Sequence, residues 1–487
     1  MPPHVHPPNT ALRDPSSLFY QKESNRRLII AAYWVVLIAA LPIWWKTTSI
    51  ERLSLPSSRV NSQAAKQLRL PIEIALEDVS LVKHLQQELD QRREQSPLVW
   101  NGLDVTVQSK TENGSYTIVH DDNRVVASER RLTFPLRKTT VPALADTLTG
   151  LLVPRLNSHR VAHYAPRYRL AFTLLNEDAA AGDTINGWDI SKAISDHLSP
   201  IFDALSVLHN FTVESQVQFH APLAFSPRTL SEGVGLTPED LTVFVNSAEW
   251  TLSSSVSNDP VLHFLVFVPS ATRRPMYILN SQGEPTSANS FLLPQWGGII
   301  IYNPPAEDTL QSPMRPLPPT ALNTIFSKFG KQLLALLGVA RLPAGVDNSH
   351  TGILTGWQLD ALLRRRAFEN AAEAAETLQS IVKLVNQIEN MPVGQDVRGD
   401  VQDSLDALDR IYASPIKSLN ATLQHSANAL TLASRAFFNP GMLALLYFPT
   451  EHKFAVYMPL FASAVIPLLA TAVREIAAWR RQRREAP

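Results

Sequence analysis

Two charge-free runs dominate the pattern of apolar and polar positions. Phe454–Val473 (FAVYMPLFASAVIPLLATAV) carries no charge for twenty residues, and Leu28–Trp45 (LIIAAYWVVLIAALPIWW) none for eighteen. At a rise of about 1.5 Å per residue, each run coils into a helix of roughly 27–30 Å, the hydrocarbon thickness of a bilayer. Neither run has a polar face to turn toward water, so both predict membrane-spanning helices. Pro459 and Pro467 are compatible with that, because spanning helices tolerate proline better than exposed ones. A cleaved signal peptide competes for the first run, but such a segment needs small residues at its end. This one ends in Leu41-Pro42-Ile43-Trp44-Trp45, and the tryptophans with Lys46 suit a membrane interface instead. Lys22, Arg26 and Arg27 precede the first run, and Arg474, Arg480, Arg481, Arg483 and Arg484 follow the second. The positive-inside bias therefore puts both termini in the cytosol and the 400 or so residues between the spans on the other side.

The intervening segment alternates strand-like with helical patterns. LRLPIEIAL (68–76), SYTIVH (115–120), RLTFPLR (131–137), YRLAFTLLN (168–176), VESQVQF (213–219), LTVFVN (241–246), VLHFLVFVP (261–269), PMYIL (275–279) and GGIIIYN (297–303) read as strands. SLVKHLQQELDQRR (80–93), VPALADTLTGLLVPRL (141–156) and WDISKAISDHLSPIFDALSVL (188–208) read as helices. Strands separated by helices predict a mixed α/β (α+β) core rather than a sandwich. Beyond about residue 315 the pattern turns helical. Thr355 and Gln358 have capping-box spacing before a long apolar-periodic stretch with Leu378, Ile381, Val382, Val385 and Ile388 on one stripe. Gly394 and Gly399 mark a break, Pro415 marks a kink or boundary, and 439–453 is apolar enough to lie at a bilayer interface. The expected organisation is a cytosolic tail (1–27), a first span (28–45), a luminal α/β domain (46–315), a luminal helical and membrane-proximal region (316–453), a second span (454–473) and a basic cytosolic tail (474–487).

Composition narrows the chemistry. Lys and Arg equal Asp and Glu at 44 each, so the protein has no overall basic field for nucleic acid. It contains no cysteine, which removes disulfides, thiolate metal sites and a cysteine nucleophile together. There is no G-x-S-x-G, H-E-x-x-H, P-loop or G-x-G-x-x-G, and no cofactor or metal is expected. His120, His159, His163 and His220 could each act as base or ligand, but a lone histidine is more often an ordinary surface or core residue. Arg364-Arg365-Arg366 reads as a solvated helix face or a contact for an acidic partner. Three N-x-S/T sequons, at Asn113, Asn210 and Asn420, all fall between the spans, in the compartment where glycans are added. Asn210, followed by threonine two residues on and then by a strand, ranks first.

The stretch PQWGGIIIYN (294–303) resembles the signature of the PIG-S family, a subunit of the GPI transamidase complex of the endoplasmic reticulum. WWKTT (44–48), LHNFTVESQV (208–217), NSAEW with SSSVSNDPVLHFLVFVP (246–269), GWQLDALLRRRAFEN (356–370) and AFFNPGMLALLYFPTEHKFAVYMPLF (436–461) agree in order with it. The resemblance covers nearly the whole chain, as a fungal-like member, and leaves the N-terminal tail and the loops near 100–165 and 222–240 without a clear family pattern. It implies a non-catalytic subunit of an endoplasmic reticulum membrane complex that joins GPI lipids to precursor proteins. Its expected partners are the other transamidase subunits, including the catalytic, caspase-like one, and membrane lipid, with no nucleic acid. The residues of Trp296-Gly297-Gly298 themselves suggest close backbone approach and core geometry more than a ligand site. Two other classes compete: a membrane-tethered luminal enzyme acting on glycans or lipids, and a luminal receptor or chaperone for precursor proteins. An enzyme should hold a cleft of titratable groups with perturbed pKa values, and a scaffold an extended contact face.

Overall fold

The computed structural model describes residues 22–48, 51–63, 65–109, 116–121, 124–136, 140–154, 161–252, 257–305, 314–349, 353–388, 391–413, 418–443 and 450–485. Asn113, His159, Pro415 and most of the N-terminal tail lie outside these residues. Five strands come first: β1 (Leu70–Leu76), β2 (Leu103–Gln108), β3 (Tyr116–His120), β4 (Val126–Ala127) and β5 (Arg131–Phe134). Then follow β6 (Arg167–Asn176), β7 (Thr184–Gly187), β8 (Asn210–Gln218), β9 (Arg228–Thr229), β10 (Val234–Leu236), β11 (Val261–Val268) and β12 (Met276–Ile278). The last are β13 (Ser290–Leu293), β14 (Gly297–Ile301), β15 (Met314–Pro316) and β16 (Asp347–Asn348).

Two larger sheets carry the architecture, and the mixed α/β expectation holds. The first has the order β16-β4-β5-β3-β1-β2, in which β5, β3, β1 and β2 run parallel to one another and β4 pairs antiparallel with β5 and parallel with β16. The second has the order β13-β14-β11-β6-β8; β14, β11, β6 and β8 are parallel, and β13 closes one edge antiparallel. Parallel neighbours need crossovers, and the sequence supplies them as helices. Val79–Gln95 starts where the Asp78 carboxylate accepts from the Ser80 N–H at 3.0 Å, and it buries Leu85 and Leu89. Val141–Leu152 buries Leu144, Ala145, Leu148, Leu151 and Leu152, the i, i+3, i+4, i+7 stripe that its sequence shows. The helix Pro319–Leu337 begins at proline and ends at Gly338, whose φ of 85° lets the chain turn left-handed while the Val339 N–H bonds the Leu334 carbonyl.

The second sheet is buried on both faces. Phe172, Phe264, Phe326 and Phe329 pack together on one side, with ring centroids 5.1–5.8 Å apart. Phe244, Trp250 and Phe267 fill the other, where the small sheet β12-β10-β9 also lies. That explains the continuous apolar runs of β6, β11 and β14, each almost wholly buried. On these strands the paired glycines act by absence: a Cβ at Gly297 would collide with the His263 carbonyl, and one at Gly298 with the Gln332 amide.

Three local readings need correction. Residues 188–208 form two short helices, Ile190–His197 and Ser199–Ala204, rather than one. Pro200 lacks an N–H and crowds the carbonyl four residues back, so the helix restarts there. LTVFVN is not a strand: Thr237 and Asp240 form a reciprocal capping box, and Pro238 starts the helix Pro238–Thr242. Gly399 lies inside the helix Gln395–Ala413, so only Gly394 marks the break.

The helical part comprises Gly356–Gln387, Gln395–Ala413 and Leu419–Phe437. The first of these has the capping box read from sequence: the Gln358 N–H donates to Thr355 Oγ1 at 3.2 Å, and the Thr355 N–H to Gln358 Oε1 at 3.1 Å. Leu378, Ile381, Val382 and Val385 are buried, whereas Ile388 is half-buried beyond the helix end. The chain divides into two compact units, one of Asn61–Glu376 with Asp403–Thr431 and one of Met1–Val60, Thr377–Gln402 and Leu432–Pro487. The first contains both sheets. Within the second, the Arg52 guanidinium donates to the Val385 and Ile388 carbonyls, satisfying the end of the helix there. Two helices among the described residues are long and apolar enough to cross a membrane, Glu23–Thr48 and Thr450–Glu485. Their apolar stretches, Ser24–Lys46 and Phe461–Arg481, overlap the two charge-free runs.

Candidate functional site

Open parallel sheets hold ligands at the carboxyl ends of their strands, where successive crossovers diverge. In the second sheet that position flanks β6, since the chain goes from β6 to β8 on one side and then to β11 on the other. The carboxyl ends of β6 and β11 lead into Glu177 and Ser270. The Glu177 carboxylate accepts from the Ser270 backbone N–H at 2.8 Å and from Arg273. Beside it Asp183 faces Arg274 and Arg315, and Arg274 also donates to the Pro269 carbonyl at 2.6 Å. Burial pulls the Arg274 guanidinium below its ordinary value, with Asp183 opposing. Asn176 ties the strand end down by exchanging bonds with Ile185 and donating to the Gln218 carbonyl. An anion-binding position at the switch point is thus occupied by the protein's own carboxylate. Among the described residues the Ser270 hydroxyl bonds Thr272 at 3.0 Å, while the Glu177 carboxylate beside it bonds the backbone N–H rather than the hydroxyl.

A second polar group crosses one face of the same sheet. Glu214 on β8, Ala171 on β6, His263 on β11 and Gly297 on β14 are partners in register. Arg169, two residues before Ala171 and on the same face, binds Glu214 at 3.0 Å. The His263 ring stacks on Trp296 with centroids 4.6 Å apart. Its pKa is lowered to about 4, first by burial and then by the Arg169 charge, with Glu214 opposing. A shallow cavity of about 410 Å³ opens beside Ala171, Thr173, Glu214, Gln216 and Leu252. This row supplies a carboxylate, a guanidinium and a neutral imidazole, and the nearby Thr173 hydroxyl accepts from the Gln216 amide at 3.3 Å. Its ion pair holds the buried Arg169 charge inside a strand core.

A third cluster joins the first sheet to the helix Gly356–Gln387. The Tyr116 hydroxyl donates to Asp360 at 2.7 Å and accepts from Arg364 at 2.6 Å, while Arg130 grips Asp360 through two nitrogens at 2.7 and 3.1 Å. Burial pushes the Tyr116 phenol above its ordinary range, with the Arg364 charge opposing. Arg366, 3% exposed, donates to the carbonyls of Ala162 and Leu337, so it caps the helix ending at Leu337. The triple arginine is therefore not a solvated face: Arg364 and Arg366 are buried because backbone and phenolic acceptors await them.

Of the histidines singled out from sequence, the three described ones stand apart. His120 Nδ1, at the end of β3, accepts from the Leu136 N–H at 3.2 Å. His163 is exposed before β6, and His220 is exposed just past β8. The perturbed histidines are two others, His263 and His209. His209 shares a 2.7 Å bond between Nδ1 and the Ala165 carbonyl, and burial lowers its pKa to about 4. One signal was available: His263 interrupts a strand of seven apolar residues. Among the described residues no three His, Asp, Glu or Cys side chains are grouped to hold a metal. Of the sequons, Asn210 is exposed at the start of the edge strand β8, with Thr212 exposed beside it. Asn420 is exposed within a helix, but Thr422 is 1% exposed and its hydroxyl donates to the Ser418 carbonyl.

Comparison with known proteins gives a consistent result. The sequence model of the family described as "Phosphatidylinositol-glycan biosynthesis class S protein" (PIG-S) matches residues 31–130 and 153–482. The GPI-anchor transamidase component PIGS of Bos taurus is 30% identical over 515 residues, covering 89% of this chain and 92% of its own. The human protein of that name is 29% identical, covering 90% of this chain and 93% of its own. The fission yeast GPI transamidase component PIG-S homolog, from Schizosaccharomyces pombe, is 28% identical over 95% of this chain and 86% of its own length.

Proposed function

This chain belongs to the PIG-S family, and from that membership we propose that it is a non-catalytic, bracing subunit of the GPI transamidase of the endoplasmic reticulum membrane. The observation that carries the reading is the family match along nearly the whole length, joined to a composition without cysteine. Transamidation through a covalent intermediate calls for an activated nucleophile, and a thioester cannot form on a chain that lacks cysteine. A serine would need a base held in place by a third group. At Ser270, in the crevice where a parallel sheet would hold a ligand, the neighbouring Glu177 carboxylate is engaged by the backbone N–H and by Arg273, and the hydroxyl bonds Thr272 instead. The partners in this reading are the other transamidase subunits, with the nucleophile on the caspase-like one. The spans are 28–45 and 454–473, both termini are cytosolic, and the sheets are luminal, where Asn210 is the first candidate for a glycan. Asn420 ranks lower because its threonine is enclosed in a helix.

Trapping a precursor protein in mid-reaction within the assembled complex tests the reading. The covalent adduct should run with a partner chain and never with this one. Single alanine substitutions at His120, His159, His163, His220 and His263 should leave turnover within a few-fold, once corrected for complex abundance. Loss of turnover at any of them in a fully assembled complex would replace the bracing role by an enzymatic one. The topology has its own test, since protease added to sealed microsomes should remove a tag at either end and spare the middle.

A further inference from the structure

The two long apolar helices, Glu23–Thr48 and Thr450–Glu485, run side by side in opposite directions and are clasped at both ends. At one end Trp44 meets Tyr457 and Phe461 edge-on, with centroids 6.3 and 5.1 Å apart. At the other, Arg26 and Arg27 both reach Glu475, the latter at 3.3 Å. Aromatic bulk holds the helices apart at the first clasp, and Ala40 and Ala464 leave space between the two. The result is an apolar groove of about 460 Å³, lined by Leu37 and Ala40 on one helix and by Phe461, Ala464 and Leu468 on the other.

We propose that this groove holds an acyl chain of an anionic phospholipid whose headgroup rests against the arginines beyond Leu468. The proposal rests on the reading that both helices span the membrane. Water is poorly suited as the occupant, since it needs two or more polar partners and the lining is apolar except at the Tyr33, Trp44 and Tyr457 side chains. A further spanning helix would enter it with side chains only. A helix of about 10 Å diameter and 30 Å length displaces more than roughly 2,000 Å³, several times the groove. A single alkyl chain is slender and apolar enough. Charge decides the class of lipid. Arg474 lies six residues past Leu468, about 9 Å along the helix, and Arg480 and Arg481 follow, all exposed. A cluster of four or more basic residues directly past a spanning helix attracts anionic headgroups. Glu475, the one acidic residue before Glu485 in this tail, is already engaged by Arg26 and Arg27.

The test uses the full chain in its native complex, reconstituted into phosphatidylcholine nanodiscs. A trace of either phosphatidylserine or phosphatidylcholine carries a photoreactive diazirine on one acyl chain. After irradiation, peptide mapping should place the phosphatidylserine probe on Ala40 and Ala464 several-fold more than on Val35 and Val473, which are exposed on the same helices. Ala464→Trp, which fills the groove, should lower labelling of Ala40 to the level of Val35. Replacing Arg474, Arg480 and Arg481 together by glutamine should make the two probes equivalent. Even labelling of all four positions by the unmodified protein overturns the proposal. So does a cross-link from benzoylphenylalanine at Leu37 to a partner chain, which would give the groove to a protein. No labelling at Val35 or Val473 either would refute the membrane-spanning reading itself, a result distinct from an empty groove.

Discussion

In the sheet built on β1, side chains alternate: β1 and β2 bury every second residue for much of their length, and the intervening ones reach toward solvent. In the sheet built on β6, they do not, and β6 and β11 are buried on both faces almost from end to end. Both sheets are mostly parallel, so strand direction does not cause the difference. Cover does. The second sheet lies between the helix Pro319–Leu337 on one face and the aromatic cluster of Phe244 and Trp250 on the other. A sheet covered twice leaves no solvent for its polar side chains. Arg169, Asn176 and His263 in the second sheet therefore need partners within the protein, whereas Glu73 and Thr106 in the first can turn outward.

The sharpest way to break this comparison is truncation on opposite faces of one strand. Phe264→Ala and Phe267→Ala, each fully buried but on opposite faces of β11, should both lower unfolding free energy by about 3–5 kcal/mol. Thr106→Ala on β2 should stay within about 0.5 kcal/mol. Chemical denaturation of the full chain reads all three, and a tolerated Phe267→Ala would mean that the second face is not closed.

Next in size is the buried charge cluster against the first sheet. Asp360→Ala should cost on the order of 3 kcal/mol, because it leaves the buried Tyr116 hydroxyl without its acceptor and removes the carboxylate that Arg130 grips. Asp360→Asn keeps an acceptor and should cost less. Equal loss for both would remove the hydrogen-bonding account.

Acid should act on the second sheet and its flank before the first. His209 and His263 titrate at about 4 when folded, against 6.5 when free. Above pH 6.5 both states are neutral and stability is complete. As pH falls from 6.5 toward 4, the unfolded chain binds protons that the folded one refuses, so stability declines. The decline amounts to at most about 3 kcal/mol for each histidine by pH 4. His263→Phe, which keeps a ring against Trp296, should remove about half of it, and melting curves across that window would show an unchanged slope if the histidine were not responsible.

The smallest effect is expected at the open edge. Asn210→Gln should change stability by no more than about 0.5 kcal/mol. It should also remove one glycan's worth of mobility on a gel. An unaltered mobility would show that β8 carries no glycan there.

Much of this was legible in the residues. Continuous apolar runs identified β6, β11 and β14, the Thr355–Gln358 spacing identified a helix start, and Gly297-Gly298 identified close backbone approach. Each depends on neighbours within a few positions, where side-chain period and steric contact act directly. Local pattern failed where another local rule prevailed, as at Pro200 and at the Thr237–Asp240 cap. It also failed where the decisive partner was distant in sequence. Arg364-Arg365-Arg366 looks like any solvated charge run. Only folding brings Tyr116 to Arg364 and the end of another helix to Arg366. His263 likewise owes its low pKa first to the burial that strand pairing creates and then to Arg169, 94 residues away. By itself the sequence determined the main strands β1, β3, β5, β6, β8, β11, β12 and β14, most of the longer helices, the two long apolar runs and the absence of a cysteine nucleophile, since these follow from residue type and short-range period. Tertiary structure alone decided which sheet is covered twice, which charges are buried, and which histidines are perturbed. Burial and electrostatic coupling depend on groups that meet in space, and their separation along the chain carries no record of that meeting.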